Sequence, residues 1–203
     1  MICRKIASYQ KVIFLTGKAE NLCPSLTLRN ILGPKKIKKV DINDTSLSSF
    51  LTNTPITDRI FIAGEISGDS GCLSLKQKRI CSEWWDLTTP IDLVYAHVCN
   101  GHELFEETGS LRDLSKWWVS FAGKVHLTKG NKVANRFTKR FFNGLFVQIG
   151  ALNLSKSSRG NLEADLRKWL RKSEKQLKGR VKGDGSMLYA MMVAHMHDNL
   201  KVG

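Results

Sequence analysis

Long apolar runs are missing from this 203-residue chain. None approaches the roughly 18 residues that suggest a membrane-spanning helix, so no membrane span is expected. The opening "MICRKIASYQKVIFLTGK" carries early charge and only the short run Val-Ile-Phe-Leu, which reads as a first strand and not a signal peptide. Cysteine is sparse and irregular: Cys3, Cys23, Cys72, Cys81 and Cys99 are odd in number and form no C-x-x-C pair. That argues against a zinc site and implies no disulfide framework, so reduced thiols in a cytoplasmic protein are expected. The glycine-rich "GEISGDSG" (64–71) lacks the spacing and lysine of a P-loop and also misses G-x-G-x-x-G. Its two acids, Glu65 and Asp69, fall short of a metal site, and His195 and His197, two apart on a predicted helix, do not share a face. No metal and no cofactor are expected. Internal repeats and low-complexity segments are absent as well.

Acidic residues are few where basic ones crowd. Net charge is +14. Residues 112–182 hold 18 Lys and Arg against 4 Asp and Glu, while the rest of the chain holds 14 of each. The whole excess therefore lies in the C-terminal half. Such asymmetry points to an acidic partner, whether nucleic acid, an acidic protein or a membrane surface, and equally fits a solvated basic face.

Apolar patterning predicts strands at 11–15, 37–42, 59–64, 91–99 and 119–126. Helical spacing is read at 24–32 and 45–51, in "LRDLSKWW" (111–118), in 131–146, in 162–182 and in the Met-rich 186–200. A small hairpin is expected from 72–75 and 79–81 across Lys-Gln-Lys. Strands alternating with helices argue for an α/β architecture with a mainly parallel central sheet, in which ligands sit at the carboxyl ends of strands. The tips of the third strand (Gly64, Glu65) and the fourth (Cys99, Asn100, Gly101) would both lie there and could face each other.

The stretch "IDLVYAHVCNGHELFE" (91–106) carries the chemical signal. Cys99 at a strand-to-loop junction is a candidate nucleophile, because a rigid strand holds the thiol while the loop keeps it accessible. The following Asn-Gly permits a sharp turn whose N–H groups could stabilise an oxyanion. A buried cysteine ending an apolar strand is also an ordinary core residue. His97 is a candidate base by geometry, since residues two apart on a strand share a face, although in a central strand that face belongs to the core. His102, beyond the turn, is a second candidate base, and His126 a third.

The same segment resembles the nucleophile strand of the CHAT family in the caspase-like clan, where a D-L-V-x-L-S-A-C strand precedes a small residue and Gly. "RIFIAGEISGDSGCLSL" (59–75) resembles the preceding segment, in which a strand ends in His-Gly and leads to a hairpin. "EWWDLTTPIDLV", "WWVSFAGKVH" and "NRFTKRFFNGLF" resemble the helix, strand and helix that flank the nucleophile. The resemblance spans about residues 11–150. It implies a caspase-like three-layer sandwich, a Cys-His dyad and a setting in bacterial defence or signalling. One departure stands out: Glu65 occupies the family's histidine position and Ile66 its glycine. A carboxylate there would work against a neighbouring thiolate. The resemblance thus implies a degenerate peptidase site in a sensor, adaptor or regulator. An active endopeptidase with a relocated base is one alternative, and a nucleic-acid-binding module using the basic C-terminal half is another.

Residues 1–150 are accordingly expected to form the α/β core and 151–203 a basic helical segment packed on it. On helix 162–182, Leu162, Leu166, Trp169, Leu170, Leu177 and Val181 share one side. Arg167, Lys168, Arg171, Lys172 and Lys175 lie off that stripe, offering a surface for nucleic-acid phosphates or an acidic protein. No DNA- or RNA-binding motif sharpens the choice. A protein partner is expected.

Overall fold

Parallel strands need connections of a dozen or more residues, and the chain supplies them between its apolar runs. A computed structural model describes residues 12–16, 37–41, 59–69, 71–75, 78–81, 91–106, 111–125, 140, 144–145, 148–149, 158–180 and 184–203. Within these, β1 (Val12–Thr16), β2 (Ile37–Asp41), β3 (Arg59–Asp69), β4 (Cys72–Leu75), β5 (Lys78–Cys81) and β6 (Ile91–Cys99) precede a 3₁₀ turn, Gly101–Phe105. A single helical turn, α1 (Leu111–Leu114), leads into β7 (Ser115–Phe121); α2 (Arg159–Arg180), α3 (Asp184–Asp198) and β8 (Leu200–Val202) complete the chain.

The result is an α/β fold with one mixed sheet and two C-terminal helices. The strand order is β2-β1-β3-β6-β7-β8, with β4 and β5 appended to β3 as a hairpin. Pairings from β2 through β7 are parallel, whereas β3–β4, β4–β5 and β7–β8 are antiparallel. β6 lies between β3 and β7, and Leu93 through Val98 are buried without alternation, so both faces of this strand are covered.

Several expectations shift. "LRDLSKWW" is helical only to Leu114; Ser115 through Phe121 form the strand, because Trp117 and Trp118 pair with Leu93 and Val94. The strand expected at 119–126 therefore begins and ends earlier. β3 runs past Gly64 to Asp69, with a register irregularity between Ala63 and Ser67. Cys72 and Cys81 stand directly opposite across the β4–β5 hairpin, Cα atoms 4.1 Å apart, and form a disulfide. This overturns the reading of all thiols as reduced: the hairpin was legible, but its register was needed to see that the two cysteines face each other. The helices expected at 24–32 and 45–51 lie outside the described residues, as do Trp84, Trp85 and His126. Of the helix expected at 131–146, residues 140 and 144–145 are described, and they are helical.

α2 buries Leu162, Leu166, Leu170 and Leu177, the predicted stripe, each worth about 1.5–3 kcal/mol when fully covered. Trp169 is half-buried beside Gly144, where an added Cβ would come within 3.3 Å of the indole. On α3, Met192 and Met196 are buried and Met191 is exposed, so the methionine cluster is divided between core and surface.

β8 was not anticipated. Three residues with only two apolar positions give little strand signal, yet Leu200, Lys201 and Val202 pair with Phe121, Ser120 and Val119. Gly203 continues the ladder, exchanging both backbone hydrogen bonds with Trp118 at 2.8 and 3.0 Å. α2 holds this strand by its side chains. Arg159 Nε donates to the Val202 carbonyl at 2.6 Å, and Arg167 donates to the carbonyls of His197 and Leu200. Arginines at the carboxyl end of α3 also complement its dipole.

Candidate functional site

Cys99 ends the central strand at the carboxyl edge of the sheet, where parallel α/β folds place their ligands. Its register partner on β3 is Ser67. Between Ala63, opposite His97, and Ser67, opposite Cys99, β3 carries extra residues, and Glu65 is one of them. Extra residues in one strand of a pair break the ladder and re-aim that strand locally. β3 continues to Asp69, so Ser67 and not the expected Gly64 or Glu65 stands beside Cys99 in the register.

The chain turns sharply after the thiol. Asn100 adopts a left-handed conformation (φ 50°, ψ 35°), which asparagine tolerates better than most residues. Its N–H donates to the Gly123 carbonyl at 2.7 Å and its carbonyl accepts from Glu103 N–H at 3.0 Å. One N–H of the turn is thus engaged and not available to an oxyanion. Gly101 sits tightly packed: a Cβ would meet the Ala96 carbonyl oxygen at 3.2 Å and Val98 Cγ2 at 3.3 Å.

The half-buried Cys99 Sγ donates to the Val125 carbonyl at 3.8 Å. Of the three candidate histidines, His97 and His102 are not its hydrogen-bond partners, and His126 lies outside the described residues. His97 is buried beside Phe121 with ring centroids 5.5 Å apart, and its Nδ1 is hydrogen bonded to the Tyr95 hydroxyl at 2.9 Å. Burial lowers its pKa from 6.5 to about 3. An imidazole so reluctant to accept a proton is a poor general base near neutrality. His97 belongs to the core, because a period of two on a strand covered on both faces places it inside. The same burial pushes the Tyr95 hydroxyl well above its ordinary value.

His102 lies on the 3₁₀ turn with Nε2 3.4 Å from Glu106 Oε1. Its Nδ1 is buried and, among the described residues, lacks a hydrogen-bond partner. The i,i+4 spacing of His102 and Glu106 is the one sequence signal for this pair.

The cations of α2 divide into two groups. Arg167 is committed to Glu163 at 2.8 Å and to the two carbonyls near the end of α3. It does not belong to an open binding face, and its loss would not leave the fold untouched. The apolar stripe had suggested otherwise; the docking of α3 and β8 against the flank of that stripe is a tertiary fact. Arg171 donates through Nε to His197 Nε2 at 2.8 Å. Lys168, Arg171, Lys172 and Lys175, with Gln176, line a cavity of about 500 Å³. His197 and Asp198 form the second layer here, and no sequence signal linked them to α2.

Among the described residues, no group of three or more His, Cys, Asp and Glu side chains could hold a metal ion, and no helix is long and apolar enough to cross a membrane. The sequence matches no protein-family model. It also matches no curated protein.

Proposed function

We propose that this chain is a caspase-like protein of CHAT type whose cysteine site has lost its histidine, and that it acts by binding, as a sensor, adaptor or regulator in a bacterial defence or signalling system. The observation that carries the reading is the Cys99 thiol at the tip of the central parallel strand, hydrogen bonded to a backbone carbonyl and, among the described residues, to no imidazole. Glu65, at the position where the resemblance calls for histidine, falls in the irregular stretch of β3 beside that tip. A three-layer sandwich belongs to this proposal. Its test is alkylation of Cys99 by iodoacetamide at neutral pH alongside cleavage of a degenerate peptide library. The expected result is alkylation no faster than that of an unassisted thiol and no cleavage. Cleavage that disappears in Cys99→Ala would reject it.

The His102–Glu106 pair supports a second reading, an active cysteine endopeptidase with a relocated base. A carboxylate 3.4 Å from one ring nitrogen orients the imidazole, and the other nitrogen is unpartnered among the described residues. Catalytic hydrogen bonds are often long before substrate binds. On this reading, His102→Ala and Cys99→Ala abolish cleavage alike, and His97→Gln spares it.

A further inference from the structure

We infer that the outward face of α2 binds the phosphate backbone of duplex DNA without regard to sequence. Lys168, Arg171, Lys172 and Lys175 line one cavity of about 500 Å³, joined by Gln176. From 168 to 175 the helix rises about 10 Å, equal to roughly three base-pair steps along the axis of B-form DNA. α2 carries three acids, of which the exposed Asp165 lies three residues before Lys168 and is outnumbered by the four cations of the face. Glu163 and Glu174 are taken by Arg167 and Lys178. Among the described residues, Lys168, Lys172 and Lys175 are exposed and make no ion pair.

Arg171 is positioned as well as charged. Its Nε donates to His197 Nε2, so the imidazole carries its proton on Nδ1, which donates to Asp198 Oδ1 at 2.8 Å. This chain fixes the guanidinium from behind and leaves its terminal nitrogens for the cavity. A fork held in place loses less entropy when it grips a phosphate. The lysines supply flexible point charges around it, and Gln176 an amide for phosphate or sugar.

The side chains on this face select the partner. Protein interfaces are depleted of lysine and anchored by aromatic residues, and none of the lining residues is aromatic or apolar. An interfacial membrane helix needs Trp, Phe or Leu opposite its cations, whereas the apolar side of α2 is buried in the fold. Single-strand sites stack bases on aromatic rings, which the lining also lacks. A duplex backbone needs only the cations. This inference stands apart from the fate of Cys99.

The test is fluorescence anisotropy with the full chain and a random-sequence DNA duplex, from about 50 to about 200 mM salt. Four phosphate contacts give a slope near −3.6 in log affinity against log salt, a roughly 150-fold loss over that range. Combined Lys168→Gln, Lys172→Gln and Lys175→Gln should reduce the slope to about −0.9, with the thermal melt unchanged. Should the triple variant unfold, each single substitution should lower the slope by about one. The inference is overturned by a variant that keeps the parent's slope, or by absence of binding at low salt. It is equally overturned if polyglutamate, single-stranded DNA or duplex RNA binds more tightly than the DNA duplex.

Discussion

Arg167→Met should destabilise the protein by about 2–4 kcal/mol, although the residue is only half-buried on a helix rich in surface cations. Methionine keeps an unbranched stem over the same surface, so the loss is that of the guanidinium. The i,i+4 pair with Glu163, with side chains 31 and 36% exposed, contributes little, about 0.3–0.5 kcal/mol. The hydrogen bonds to the carbonyls of His197 and Leu200 matter more. Bonds to a charged donor are worth about 1.5–3 kcal/mol each, and water reaching the vacated carbonyls reduces the sum to the range given. For a chain of this size the melting temperature should fall by roughly 5–15 °C. Lysine carries the charge but not the fork, so Arg167→Lys should recover less than half of the loss. Urea denaturation followed by far-UV circular dichroism and tryptophan fluorescence measures both; Trp118, paired with Gly203, is one of the five tryptophans that contribute to the signal. Lys168→Met, one residue away and exposed, should change stability by less than about 0.5 kcal/mol. If Arg167→Met behaves like Lys168→Met, the clamp on α3 and β8 is not a significant source of stability.

Other outcomes follow from the same geometry. His97 has a folded-state pKa of about 3 against 6.5 in the unfolded chain, so between those values only the unfolded state takes up the proton. Its contribution is complete above about pH 6.5 and is lost as pH falls, reaching about 2 kcal/mol of destabilisation near pH 5; His97→Asn should flatten the stability–pH slope there by up to one proton. The Cys72–Cys81 link closes a short loop, sequence separation 9, and chain entropy assigns it at most about 2.5 kcal/mol. Reductant and Cys72→Ser with Cys81→Ser should lower the denaturation midpoint equally, and a reductant-insensitive midpoint would argue against the bond. Gly101→Ala places a methyl 3.2 Å from the Ala96 carbonyl oxygen and 3.3 Å from Val98 Cγ2; overpacking there should cost about 1–2 kcal/mol in a thermal melt, whereas substitution at exposed Gly160, with nothing within 4 Å, should not destabilise.

Elements whose pattern is local could be read from the residues alone. Ile91–Cys99 is a strand buried on both sides because its residues are apolar without alternation, and Leu162, Leu166, Leu170 and Leu177 recur at helical spacing because one face must be covered. The position of Cys99 at a strand tip followed from Asn-Gly, whose asparagine takes the left-handed turn. Register and docking were not local. Cys72 meets Cys81 only once the hairpin fixes which residues stand opposite; His97 is withdrawn from the thiol by Tyr95 and Phe121, one of which comes from another strand; Arg167 is spent on carbonyls thirty residues and more away. β8 exists because β7 offers an edge for it, not because Leu-Lys-Val demands extension. Local propensity and periodicity are written residue by residue, whereas the partner of a polar group is chosen by whichever segments the tertiary fold brings within about 3 Å, and that choice divided the cations of α2 into a clamp and an open face.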